Sequence, residues 1–304
     1  MKRSQILPLA ILLAFLFHEW CDYLAVTLPY LIFSILLLNF TSVNIKSLKL
    51  IHISKMTIWL LLFQIVVSLG GYYLINYLFD NEIVAQGVLV GVLCPVAASS
   101  VVISCILGAN RETVTTHVIL GNLMVAVVAP IYFSFIGEQQ SMPFLESFAL
   151  ILRRVSPIIA LPFFVAMLLQ LFAAKVNRFI SRFEPYSLHI WAAALTITLG
   201  QTISFIIDNW KDNFDNIIIL GAISIVFCAI QFGVGKLIGK RYGDVIAGGQ
   251  MLGQKNVAMG IWMSNIYLNP IASVFLALYS VWQNLFNSWQ LHIKEKNSYL
   301  WENH

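Results

Sequence analysis

The sequence has few charged residues for its length. Only 11% of its 304 residues are charged, whereas 59% are hydrophobic and the mean hydropathy is +0.82; soluble domains carry about 25% charged residues. The net charge of +4 is spread over many short segments, unlike the clustered basic face of a nucleic-acid-binding protein. The composition predicts a polytopic membrane protein embedded in the lipid bilayer, with no nucleic-acid partner.

The sequence also lacks the motifs of most enzyme classes. It contains no P-loop, HExxH, GxSxG or haem-attachment pattern, so neither an enzyme nor an ATP-driven pump is predicted. The four cysteines form no CxxC pair, which argues against zinc or a redox disulfide, and no cofactor is expected. An enzyme would also group its His, Asp and Glu residues at one membrane face, whereas the acids here are scattered.

Long apolar runs are present instead, separated by short polar breaks. They predict an all-α protein, since helices satisfy their own backbone groups in lipid. The ten predicted spans lie near 4–17, 23–40, 56–79, 84–107, 113–136, 153–174, 186–207, 214–236, 245–266 and 269–291. The first run resembles a signal peptide, but "HEWCD" after it offers no small-x-small cleavage site, and we prefer a short first helix.

Loop charges predict the orientation of these spans. Lys and Arg lie mainly at one set of span ends, and Asp and Glu lie mainly at the opposite set. Because basic residues favour the cytoplasmic side, both termini are expected to face the cytoplasm in an inner membrane. Three residues fit this pattern less well. They are Lys211, which lies among external acids, and Arg153 and Arg154, at the external start of the sixth span after an interfacial stretch.

The ten spans divide into two sets of five, which would insert with opposite topology because five is odd. The predicted halves are 1–138 and 139–304. Their fourth spans, "GVLVGVLCPVAASSVVISCILG" and "VIAGGQMLGQKNVAMGIWMSNI", each carry small and polar residues near the middle. Paired interruptions of this kind indicate a transporter's binding site, although small residues also serve close helix packing.

Lys255 lies within the second interruption, near the middle of a run with no other charge. A bare charge at that depth costs at least about 2.5 kcal/mol. The two interruptions supply the predicted site residues Ser99, Ser100, Gln250, Gln254, Lys255 and Asn256, with the helix breaks at Cys94, Pro95 and Gly253.

Five segments in register resemble the bile acid:sodium symporter family. "CPVAASSVV" (94–102) resembles its Cys-Pro-Gly-Gly-Thr-Ala-Ser-Asn-Val-Val motif, and "GQKNVAMG" (253–260) its Gly-Met-Gln-Asn-Ser-Gly-Leu-Ala segment. "LYSVWQNLFNSW" (278–289) is similar to the Trp-containing run of its last helix, "FQIVVSLG" (63–70) to a segment of span three, and "AP" (129–130) to the end of span five.

The resemblance implies ten helices in two inverted five-helix repeats, with helices 4 and 9 broken and crossing. It implies a panel domain of helices 1, 2, 6 and 7 and a core domain of helices 3, 4, 5, 8, 9 and 10. Family members carry organic anions such as bile acids, sulfated steroids or small carboxylates, usually with sodium. The substrate would bind between core and panel, beside the crossover.

The family's ion ligands are only partly kept. By the resemblance, Gln64, Ser99 and Asn256 match ligand positions, and Ser100 and Asn122 replace an asparagine and a threonine. Three replacements remove ligands: Val118 stands for a serine, Met251 for a glutamate, and Lys255 for a glutamine. Sodium needs about five or six oxygen ligands, so a sodium site made of Gln64, Ser99, Ser100 and Asn122 is doubtful.

Several interpretations of Lys255 stay open from the sequence. Its ammonium could replace a bound ion, it could bind the anionic substrate, or it could carry a coupled proton. A lysine that snorkels to an interface or lines a watery cleft is the structural alternative. The runner-up functions are a cation/proton exchanger of similar fold and a non-transporting membrane sensor.

Overall fold

The computed structural model describes residues 3–42, 53–97, 100–137 and 143–302, with side chains omitted at 3–8, 209 and 295–302. Every regular element within these ranges is helical, which confirms the all-α prediction. The thirteen α-helices are α1 (Arg3–Leu16), α2 (His18–Leu24), α3 (Leu28–Ser42), α4 (Lys55–Phe79), α5 (Glu82–Leu93), α6 (Ser100–Leu107), α7 (Arg111–Ile136), α8 (Phe144–Phe172), α9 (Ala174–Ser181), α10 (Ser187–Arg241), α11 (Val245–Gly253), α12 (Val257–Tyr267) and α13 (Ser273–Glu302).

Six helical segments of the described chain are long and apolar enough to cross a membrane. They are His18–Ser42, Lys55–Phe79, Arg111–Ile136, Phe144–Phe172, Ala174–Asp208 and Trp210–Arg241. These segments support an integral membrane protein. The other four predicted spans coincide with α1, which has 14 residues, with α13, and with two pairs of short helices, so the count of ten stays a prediction.

Asparagine, serine and aspartate side chains mark where the helices begin. Ser54, Asn81 and Asn110 accept hydrogen bonds from backbone N–H groups three residues later, at the starts of α4, α5 and α7. Asp244 and Asn256 do the same for α11 and α12. These side chains satisfy N–H groups that have no partner within the helix.

Two helix boundaries differ from the sequence prediction. The helix α8 begins at Phe144, not near 153, so Arg153 and Arg154 lie inside it because the stretch taken as interfacial continues the same apolar helix. The predicted seventh and eighth spans are joined in α10, which bends at Asn213 (φ −124°, ψ 15°). The helix continues through the first polar residues after the seventh span and is interrupted at Asn213, where the backbone is not helical.

The helix α11 packs closely against the second half of α10. A Cβ on Gly248 would collide with the carbonyl oxygen of Gly235 and come within 2.8 Å of the Gly239 nitrogen. Glycines at this contact let the two backbones approach, as small residues do between membrane helices. This packing places the end of α11 inside the protein, beside Phe232.

Candidate functional site

The first helix break follows α5. Pro95 cannot donate a backbone N–H, and Cys94 leaves the helical conformation at φ −48° and ψ 130°. A helix that ends inside a protein needs donors for its last carbonyl groups. Gln64 of α4 provides one, because its Nε2 donates to Leu93 O at 2.6 Å and to Cys94 O at 2.9 Å.

The second break separates α11 from α12. Gln254 is extended, with φ −96° and ψ 118°, and Asn256 caps the start of α12 through its side chain. The hydroxyl of Tyr279 donates to Gly253 O at 2.7 Å, so the end of α11 is also capped by a side chain from another helix.

The two breaks lie against each other. The backbone N–H of Asn256 donates to Pro95 O at 2.8 Å, and Cys94 Sγ donates to Asn256 O at 3.1 Å. Each interruption therefore satisfies backbone groups of the other, which matters because unpaired groups are costly away from water. Cys94, Pro95, Asn256 and Gln64 meet at one place.

Lys255 lies between the two breaks and is 1% exposed. Its Nζ donates to Val92 O at 2.8 Å, at the C-terminal end of α5. Its backbone N–H donates to Gln283 Oε1 at 2.8 Å, and Gln283 Nε2 donates back to Lys255 O at 3.4 Å. The carbonyl end of a helix carries about half a negative charge and favours a cation, so the break and the lysine compensate each other.

The remaining predicted residues are divided between the site and its surroundings. Gln250 is buried and donates to Asn287 Oδ1 at 2.8 Å. Asn122 donates to Val118 O of its own helix, and the Ser100 backbone N–H donates to Ala97 O, so neither of these bonds reaches Lys255. Ser99 lies outside the described residues.

The donor set fits sodium poorly. Within the described residues, Gln64 Oε1, Ser100 Oγ and Asn122 Oδ1 are buried oxygens without a hydrogen-bond partner. All three are neutral oxygens, whereas sodium needs about five or six oxygen ligands and binds more strongly where some of them are anionic. Sodium binding at these residues stays a prediction.

His117 of α7 is fully buried close to the same place. It lies against the backbone of Met251 and within electrostatic range of Lys255. Met251 itself packs in an apolar cluster with Leu60, Val96 and Val118. The position predicted to have lost its glutamate is therefore filled by hydrophobic packing.

Three residues of this region were not predicted as site residues. Gln283 holds the Lys255 backbone, Tyr279 caps α11, and Asn287 bonds Gln250. The spacing of Gln283, Asn287 and Gln290 could have identified this region in the sequence, because amides at i, i+4 and i+7 share one helix face. In an apolar helix such a face marks a polar environment.

Comparison with known proteins leaves the resemblance untested. The chain matches no protein-family model and has no significant match among curated proteins. The bile acid:sodium symporter resemblance therefore rests on the five sequence segments alone.

Proposed function

We propose that the protein is a secondary transporter of the bile acid:sodium symporter type, which moves an organic anion across the membrane by alternating access of core against panel. Ten helices in two inverted repeats would form the scaffold. Lys255 would take the place of the coupling cation, so that transport does not require sodium. The hydrogen bond from Lys255 Nζ to Val92 O is the observation that carries this proposal.

The location of the ammonium favours the tethered-cation interpretation. Helix breaks leave partial charges in the membrane interior, and transporters use carbonyl ends of half-helices to hold cations. Lys255 Nζ binds such an end, and Gln64 holds the two carbonyls beside it. A snorkelling lysine would extend toward a membrane face, whereas this one is bonded inside the protein.

An anionic substrate would suit the same arrangement. The ammonium gives the region beside the crossover a positive charge, and the hydrogen bond described for it is to a neutral carbonyl group. A carboxylate or sulfate in the neighbouring cleft would gain Coulomb energy where the effective dielectric is low. This favours an organic anion over a metal cation as substrate.

Uptake into proteoliposomes tests the proposal. Taurocholate, estrone sulfate and pyruvate would be supplied in sodium buffer and in choline buffer, after a thermal-shift screen of the same anions, since only binders stabilise the folded state. We expect at least one anion to be taken up equally in both buffers. Strict sodium dependence would contradict the tethered cation, and binding without uptake would favour a membrane sensor.

Paired variants sharpen this test. Lys255→Gln combined with Met251→Glu returns the two residues of the family pattern, and we expect its uptake to become sodium-dependent. Lys211→Gln, at an exposed lysine, is the matched control and should behave as the parent protein. Sodium-independent uptake by the double variant would mean that Lys255 does not replace an ion.

A further inference from the structure

A row of amide side chains leads away from Lys255 along α13. Gln283, which bonds the Lys255 backbone, is followed on the same face by Asn287 and Gln290. Gln250 of α11 is bonded to Asn287, and Gln254 follows the end of α11 directly before Lys255. We call these five residues the amide stripe. None of the five carries a charge, and together they offer five carbonyl oxygens and five NH2 groups.

The amide stripe is followed along α13 by a lysine. Lys294 follows on α13, and its Nζ donates to Ile106 O at 2.7 Å, near the end of α6. The rise from Gln283 to Lys294 is about 16 Å, roughly half of the hydrocarbon thickness. The stripe itself extends about 10 Å along α13, from Gln283 to Gln290. Lys294 lies one turn beyond it, toward the side that the loop charges predict to be cytoplasmic.

Several polar atoms of the stripe have no partner in the described part of the protein. Gln250 Oε1, Gln254 Oε1, Asn287 Nδ2 and Gln290 Nε2 are shielded from solvent and make no hydrogen bond. Gln250, Gln254 and Asn287 are at most 5% exposed. Amides left unpaired in an apolar interior cost free energy, and bound water is the usual partner of such groups.

The helices around the stripe add further polar groups. The helix α6 packs against both α11 and α13. It contributes Ser100 and Ser104, which are fully buried, lie one turn apart and have hydroxyls without a partner. By contrast, Leu285 is 58% exposed on another face of α13. Asn284 and Ser288 are polar residues on other faces of α13, so what distinguishes the stripe is its buried, unpartnered amide atoms and not polarity alone.

We propose that the amide stripe holds a file of water molecules that connects Lys255 with the membrane face at Lys294. The occupant is water because the stripe offers neutral donors and acceptors in equal number, as a chain of waters requires. Its role as an access route to Lys255 rests on the proposed function, whereas the hydration itself does not.

Cysteine labelling tests the water file. Starting from a variant with Cys94→Ser and the other three cysteines replaced by alanine, Asn287→Cys, Gln290→Cys and Leu285→Cys would be treated with a membrane-impermeant methanethiosulfonate. We expect the two stripe cysteines to react at least tenfold faster than the lipid-facing one, and only from the Lys294 side. Equal rates, or labelling from the opposite side alone, would overturn the proposal.

A second measurement uses the unmodified protein, so its result does not depend on whether the cysteine variants fold. Solid-state NMR in bilayers detects magnetisation transfer from water to side-chain amides. Transfer to Asn287 Nδ2 is expected, and its absence would overturn the proposal. Hydrated amides without anion uptake would support the water file and contradict the proposed function. Anion uptake without hydrated amides would support the proposed function and contradict the water file.

Discussion

At the scale of single residues, the breaks are stabilised by side chains that reach across from other helices. Tyr279 of α13 is fully buried, donates to Gly253 O and accepts from Gln231 Nε2 at 3.2 Å. Gln64 does the same work at the end of α5. Each bond compensates a backbone group that the broken helix cannot satisfy.

Removal of the Tyr279 hydroxyl is expected to destabilise the protein. Tyr279→Phe leaves Gly253 O and Gln231 Nε2 without a partner, and one such buried group costs about 1–3 kcal/mol. Thermal unfolding in detergent would measure the loss. Tyr77→Phe is the matched control because Tyr77 is 86% exposed. Equal unfolding temperatures for the two variants would show that the cap contributes nothing.

At the scale of helices, the position of the second break depends on how α11 meets α10. The close approach at Gly235 and Gly248 brings the C-terminal end of α11 beside Phe232, where a Cβ on Gly253 would clash with the ring. The break is therefore held from three directions, by α10 through packing and by α5 and α13 through hydrogen bonds.

An alanine at this contact is expected to be costly. Gly235→Ala would force its Cβ against the backbone of Gly248, and overpacking of this kind costs about 1–3 kcal/mol. Gly233→Ala, two residues away in α10, meets nothing within 4 Å and should be neutral or slightly stabilising, because alanine favours helix. The unfolding temperatures of the two variants measure the difference. The prediction would be contradicted if Gly233→Ala lowered the unfolding temperature and Gly235→Ala did not.

At the scale of the whole molecule, the charge pattern predicts that both termini lie on the cytoplasmic side. Green fluorescent protein fused to either terminus is expected to be fluorescent, and alkaline phosphatase at the same positions inactive. A fusion of phosphatase within 138–142, a predicted external loop, should be active and serves as control. Opposite results for the two termini would require an odd number of spans and would contradict the ten-span prediction.

The sequence by itself determined the helical class, the membrane environment and the approximate location of both interruptions. Composition and apolar periodicity suffice for these, since lipid allows few alternatives to helices. Pro95, and the small or polar residues from Gly253 to Asn256, disfavour a continuous helix locally. Both interruptions could therefore be predicted without knowing which residues pack against them.

Only the tertiary structure decided what the interruptions bind. The sequence left several roles open for Lys255, and the tertiary structure gives its ammonium a partner in Val92 O because α5 ends against the second break. Gln283 and Tyr279 entered the site because α13 packs beside α11 and α12. Contacts between residues far apart in the chain depend on the packing of whole helices, and a local pattern does not encode that packing.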